Sequence, residues 1–348
     1  MKISQMLKRE DFYAINERTL ANYYKDGKGS SLLYVYPKLN AIITKKPSRA
    51  VKDYLFCEYE IRSNPLKKLL VNIYVFACLN IGGLLADKKT HVTAKVGNDV
   101  LIYPCNKKYR IFNFKNNTVD VIAKDGFNNN DLLREIEFRT KKGLPDFVPS
   151  LVSADNNGYC EKIIDGKPLA RVQNGFEGYK QKAYALLWEY AKHDAKAVEG
   201  KAYAQQLEQK IAELTTNKVE QKEILKNVVK KLCDICCSMD KIQLCFSHGD
   251  LQVGNIWIEN KTEKIYIIDW ESWGTRSVWY DQAVLFDGLR PLPFIDYLCK
   301  EIDINKKAVV LLEDIIFNLN ELNNLPSDFG QEKFSKYIKE INSWTKDL

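Results

Sequence analysis

Short apolar runs bounded by polar turns mark the middle of the chain. Asp99–Tyr103, Tyr109–Phe114 and Thr118–Lys124 are separated by Pro104–Lys108 and Lys115–Asn117. They predict a three-stranded antiparallel meander. Asn130–Phe138 then opens with a plausible cap and continues as a helix. Further on, Glu177–Lys196, Tyr203–Leu214 and Val219–Ser238 repeat Ala, Leu and Lys at helical spacing. Two more short runs, Asn255–Ile258 and Lys264–Ile268, joined by the turn Glu259–Thr262, predict a hairpin. Four apolar patches follow, at Val284–Leu289, Pro293–Cys299, Ala308–Leu319 and Phe334–Ile341, and each predicts a helix. The expected class is α+β, with a small β-rich part followed by a large, mainly helical part.

One run stands apart. Leu69–Leu85 carries no charge and is flanked by Lys67-Lys68 and Lys88-Lys89. It is short for a membrane span, and Asn72, Asn80 and Gly82-Gly83 weaken that reading. A buried helix or strand pair is the expectation; an interfacial helix with basic flanks is the alternative.

Composition narrows the field. With 348 residues, 45% of them hydrophobic, the chain can bury a substantial core. The net charge of +7 is modest for this length and the lysines are dispersed, so a nucleic-acid partner is not expected. The first ten residues contain no apolar core of signal-peptide length. Nine cysteines lack paired zinc spacing, and Cys233-x-x-Cys236 falls within a predicted helix, where packing is the expected role. A reducing, cytoplasmic setting is expected, with attachment to the inner face of a membrane as the variant.

The chemistry is concentrated between Phe246 and Glu271. His248, Asp250 and Asn255 form H-x-D-x-x-x-x-N, and Asp269 follows fourteen residues later at the end of an apolar run. Phosphoryl transfer requires a carboxylate to orient an acceptor hydroxyl and hard oxygen ligands for Mg²⁺. Asp250 and Asn255 precede the first strand of the hairpin and Asp269 follows the second, so Asn255 and Asp269 are expected to converge.

His-Gly-Asp-Leu-x-x-x-Asn with Ile-Asp-Trp-Glu resembles the aminoglycoside phosphotransferase and choline kinase superfamily. The resemblance implies a two-lobed, protein-kinase-like fold. The expected domains are 1–90, of unknown role, 91–165 as the small lobe and 166–348 as the large lobe. It also implies ATP and Mg²⁺ as cofactors, Asp250 as the catalytic carboxylate and His248 as a scaffold of its loop. Asn255 and Asp269 become the metal ligands, and Asp281 the brace of the loop unless it is a plain helix cap. Protein kinases usually place Arg where Gly249 stands and Asp-Phe-Gly where Asp269-Trp270-Glu271 stands, which favours a small-molecule acceptor.

The same resemblance makes Lys124, at the end of Val-Ile-Ala-Lys, the lysine that grips the α- and β-phosphates. Its carboxylate partner is expected to be Glu135, with Glu137 as the alternative. No glycine-rich loop lies between the first two strands, so the Tyr103–Lys108 turn, with Lys107 or Lys108, is the candidate phosphate contact. The segment around Glu161 to Ile163 is expected to pair with the adenine edge. The acceptor is a hydroxyl on a sugar, an amino alcohol or an aminoglycoside-like molecule, with cell-surface polysaccharide metabolism as one setting. Trp257, Trp270, Trp273 and Trp279 are read as packing, or else as a ring set for a sugar or a quaternary ammonium. The competing function is a kinase-like scaffold without turnover.

Overall fold

The computed structural model describes residues 8–59, 65–290, 295–325 and 329–346. The chain divides into two compact units, Met1–Leu132 with Ser150–Ile163, and Leu133–Pro149 with Ile164–Leu348.

In the first unit, α1 (Arg9–Tyr23) precedes β1 (Ser31–Tyr36) and β2 (Ala41–Thr44). Then come α2 (Arg49–Glu58), α3 (Pro65–Asn80), β3 (Lys88–Val92), β4 (Val100–Pro104), β5 (Lys108–Asn113) and β6 (Thr118–Ala123). Helix α4 (Asn130–Arg139) begins here and continues in the second unit, and β7 (Leu151–Asp155) with β8 (Gly158–Lys162) completes the first. The eight strands form one sheet in the order β3-β1-β2-β4-β5-β6-β8-β7. The meander expected from the sequence is therefore its centre, β4-β5-β6. The boundary at residue 90 is not reproduced: β2 pairs onto the edge of β4, β1 and β3 extend the sheet beyond it, and all three belong to the same sheet.

Cross-strand partners lie on the same sheet face and successive residues alternate between faces. One face carries Leu33, Val35, Ile42, Ile102, Tyr109 and Ile111, and α1 packs there through Phe12 and Leu20. Polar groups fix α1 in place: Asn16 and Tyr109 share a hydrogen bond, and the Tyr23 hydroxyl donates to Asp120 at 2.5 Å. The other face carries Phe112, against which Tyr54 of α2 packs with ring centroids 5.0 Å apart.

The second unit contains β9 (Gly166–Pro168), α5 (Phe176–Ala191), β10 (Lys196–Glu199), α6 (Gly200–Leu214), α7 (Lys222–Cys237) and β11 (Lys241–Ser247). It continues with β12 (Ile256–Glu259), β13 (Ile265–Ile267), β14 (Gly274–Ser277) and α8 (Tyr280–Phe286). Helices α9 (Ile295–Cys299), α10 (Ile304–Asn324) and α11 (Phe329–Trp344) complete it. The helices form one core in which α6, α7, α10 and α11 interlock through residues such as Leu207, Leu232, Leu312 and Ile338. Cys233 and Cys236 are buried there, and burial pushes both thiols up to about 12. They are packing groups, as the helical spacing predicts.

In the second unit, strands β9, β10, β11 and β14 escaped the sequence reading. The predicted helix 177–196 ends at Ala191, and β10 pairs with β11, the strand that leads into the catalytic loop. The first residues of the predicted helix 293–299 lie outside the described residues.

Candidate active site

The catalytic segment is built on two small sheets. Strands β12 and β13 pair in the register Ile256↔Ile267 and Ile258↔Ile265, and those four isoleucines are buried in one apolar cluster. Alternation sends Trp257 and Tyr266 to the opposite face. The hairpin closes as predicted, and Ile268 N–H donates to Asn255 C=O at 2.9 Å. That bond places Asn255 and Asp269 at adjacent ends of the two strands.

The loop His248-Gly249-Asp250 leaves β11 and turns sharply. Gly249 has φ +82°, and a Cβ there would lie 2.2 Å from the Ser272 carbonyl oxygen and 2.6 Å from an Arg276 nitrogen. Only glycine fits this position. The Asp281 carboxylate accepts the His248 N–H at 2.9 Å and the Gly249 N–H at 3.0 Å. Asp281 sits in the first turn of α8 and is buried, and its oxygens are committed to the loop rather than to a cap.

His248 is fully buried. Its Nδ1 accepts the Asp250 N–H at 3.2 Å, which assigns the proton to Nε2, 3.0 Å from the Ile268 carbonyl. The ring lies 4.4 Å from Trp270. His248 thus ties the catalytic loop to the end of β13, as a scaffold. Behind it stands an aromatic block of Trp270, Trp273, Phe138 and Phe246. Trp270 is fully buried, and the Trp273 indole donates to the Arg134 carbonyl at 2.9 Å. These two tryptophans are packing groups.

The Asp250 carboxylate accepts from Gln252 at 2.8 Å and from the Asn255 amide at 3.3 Å. The Asn255 amide nitrogen also donates to the Asp250 carbonyl at 2.9 Å, which leaves its oxygen as the atom suited to a cation. Burial raises the Asp250 pKa, and the nearby Arg290 guanidinium opposes that rise. Sequence reasoning missed Arg290, whose Nε lies 3.3 Å from Asp250 Oδ1.

Asp269 adopts φ +69°, a left-handed backbone that is strained for a non-glycine residue. Carboxylate oxygens of Asp269, Glu271 and Glu135 lie within 4.8 Å of one another. Hard carboxylate oxygens gathered this closely match the coordination that Mg²⁺ takes. The donor set therefore fits the metal that the motif implies. Glu271 was quoted in the sequence motif but given no role, and its place two residues after Asp269 was the available signal. Glu135 also meets Arg139 at 3.2 Å, an ion pair four residues apart on α4 with both side chains buried.

The remaining predicted residues lie in the first unit. Lys124 is 2% exposed, and its ammonium sits 5.1 Å from the Tyr109 ring centroid and 5.8 Å from that of Phe127. Burial lowers its pKa to about 8. Among the described residues of its own unit, its close neighbours are these aromatic rings and no carboxylate forms an ion pair with it. Glu161 is ladder-paired on both sides, to Val119 and Leu151, and Ile163 N–H donates to the Asn117 carbonyl at 3.1 Å. The Ile163 amide expected to meet an adenine edge is therefore used within the sheet. Lys107 is ion-paired to Asp131 at 2.6 Å.

The sequence profile of choline/ethanolamine kinases matches residues 147–346, more than half of the chain, and spans the whole catalytic loop. The chain belongs to the choline/ethanolamine kinase family. It is a phosphotransferase with an alcohol group as acceptor, and ATP and Mg²⁺ are its cofactors. The fold is of the protein-kinase-like type.

Solved structures of family members and relatives resemble the chain. An ethanolamine kinase from Plasmodium vivax shares 16% identity, covering 87% of this chain and 95% of that one, at TM-score 0.44. The choline kinase LicA from Streptococcus pneumoniae shares 14%, covering 72% and 92%, at TM-score 0.42. A thermostable mutant of an aminoglycoside phosphotransferase shares 9%, covering 73% and 92%, at TM-score 0.45. Curated protein sequences give no match. The family assignment rests on the sequence profile, not on these structural likenesses. Among the described residues no helix is long and apolar enough to cross a membrane.

Proposed function

We propose that this kinase phosphorylates the hydroxyl of a small amino alcohol of the choline or ethanolamine class. The observation that supports the phosphotransferase chemistry most directly is the joint placement of Asp250, Asn255 and Asp269 at the ends of one braced hairpin. The family profile across residues 147–346 supports the acceptor class.

In this reading Asp250 accepts the hydroxyl proton and orients the oxygen, and Gln252 and Asn255 hold its carboxylate in place. Asn255 and Asp269, with Glu271 beside them, hold Mg²⁺. Bound Mg²⁺ neutralises charge on the phosphates. Asp281 and His248 fix the loop and touch no reacting atom. The nine free cysteines and the use of ATP agree with a reducing cytoplasm.

The lysine for the phosphates is better sought on β5 than on β6. Lys124 faces α1, and the cavity of about 660 Å³ that it lines also exposes Asp120, Asp125 and Asp155. With Lys25 and Lys124 set against these aspartates, Asp125 ion-paired to Arg18 and Asp120 bonded to Tyr23, the wall offers a triphosphate little net positive charge. Lys108 pairs with Ala123, one residue before Lys124, so alternation turns it to the face that α1 does not cover. It also borders the Tyr103–Lys108 turn, which stands where kinases carry their phosphate loop.

ATP consumption measured across choline, ethanolamine, hexoses and aminoglycosides tests the acceptor class. Turnover of choline or ethanolamine at least tenfold above the others is expected. Preference for a sugar or an aminoglycoside would overturn it.

A further inference from the structure

Helix α3 buries Val75, Cys78 and Leu79 and presents Leu66, Leu69, Leu70, Ile73 and Phe76 on its other side, each more than half exposed. The spacing of three and four residues aligns those five on one helix face. The chain then turns through Gly82-Gly83 and exposes Ile81, Leu84 and Leu85 as well. Eight large apolar side chains are thus gathered on one helix and the loop that follows it. The expectation that Leu69–Leu85 is buried therefore fails for half of the helix, because only its inward stripe has sheet and helix to pack against. Isolated exposed apolar residues are ordinary, but a contiguous patch of this kind marks a contact surface.

The surroundings of the patch identify its partner. From Pro65 to Ala86 the chain contains no acidic residue; Lys67 and Lys68 open the helix, and Lys89 follows the loop after Asp87, which bonds Tyr13, and Lys88, which is ion-paired to Glu17 at 2.8 Å. Lys45 lies beside the loop, since a Cβ on Gly82 would come within 3.4 Å of its Cε, and its neighbour Lys46 is exposed as well. Lys52 donates to Asn80 at 2.7 Å at the end of the helix. An apolar strip with a basic rim is complementary to an anionic lipid surface, where apolar side chains enter the headgroup boundary and lysines meet lipid charge. A symmetric pairing of two copies would instead bring the same lysines together. The helix is too short to span.

We propose that α3 and the 81–85 loop dock this kinase flat on an anionic membrane surface. The docking is independent of the acceptor class. Flotation of the full-length chain with vesicles tests it, using pure phosphatidylcholine against phosphatidylcholine containing about one third phosphatidylglycerol. Binding at least tenfold stronger to the anionic vesicles, weakened by high salt, is expected. Leu69→Ser combined with Ile73→Ser and Phe76→Ser should abolish it, and Lys45→Glu with Lys46→Glu should reduce it several-fold. Melting temperature and turnover of a soluble acceptor should be unchanged in both variants. Equal failure to float with either vesicle would overturn the proposal. So would a dimer in solution that the triple substitution dissociates, since the patch would then be covered by a second copy.

Discussion

Arg290 bridges two carboxylates: its Nε lies 3.3 Å from Asp250 Oδ1, and its Nη1 lies 2.6 Å from Asp314 Oδ1. Asp314 is fully buried on α10, where it also accepts from Tyr280 at 3.1 Å and Tyr337 at 2.7 Å. The catalytic carboxylate is thereby tied to the helical core through one guanidinium. The linkage has an electrostatic consequence, because burial favours the protonated form of Asp250 and Arg290 favours the ionised one.

The pH profile of kcat/KM should report that balance. Asp250 must be ionised to accept a proton, so activity falls as pH drops through its pKa. Replacing Arg290→Met removes the opposing charge, and pairing it with Asp314→Asn avoids stranding a buried carboxylate. The acidic limb of the double variant should move to higher pH. An unmoved limb would mean that Arg290 does not act on Asp250.

The loop brace gives a stability prediction. Asp281→Ala leaves the buried His248 and Gly249 amides without their acceptor, which costs about 2–3 kcal/mol. Gly249→Ala forces a Cβ against the Ser272 carbonyl and should cost at least as much. Both should lower the urea midpoint and strongly reduce turnover. Native stability in either variant would contradict the brace.

Lys124 should be a liability to stability. Its pKa of about 8 lies below the ordinary 10.5, so burial of the charge costs on the order of 3 kcal/mol at pH 7. The unfolded chain holds the proton more tightly, so that cost fades as pH rises from about 8 towards 10.5. Lys124→Met should therefore be more stable than the parent at pH 7, with the advantage shrinking above pH 8. A destabilised Lys124→Met at pH 7 would show that the ammonium has a favourable partner.

The strand assignment of the phosphate lysine has its own test. Calorimetry with MgATP should show Lys108→Ala binding at least tenfold more weakly and Lys124→Met within about threefold of the parent. Ala123→Lys in the Lys108→Ala background returns an ammonium to the same sheet face from the neighbouring strand, about 5 Å away. Partial recovery of affinity is expected. Loss on Lys124→Met with none on Lys108→Ala would restore Lys124 to the role.

What the sequence revealed, and what it concealed, follows sequence distance. Asn255 and Asp269 flank one hairpin and His248 and Asp250 lie in the loop just before it, so local spacing alone pointed to this segment. Arg290 and Asp314 reach the same carboxylate from later elements, and no local pattern announces such a contact. Lys108 and Lys124 differ by strand parity, which a Val-Ile-Ala-Lys match does not fix because shifting by one residue exchanges the faces. Strands β1, β2 and β3 read as an unrelated region because β2 joins them to β4 by a non-local pairing. The uncharged run 69–85 was visible, but which of its residues face outward depended on where α3 lies.

The division of labour between Asp250 and the metal ligands is the centre of the account. It is tested by measuring MgATP affinity and phosphoryl transfer side by side in the parent and Asp250→Ala. Affinity should stay within about threefold while transfer falls by roughly 10²–10⁴-fold, the usual contribution of a general base. Transfer within about tenfold of the parent, or loss of MgATP binding together with transfer, would contradict it.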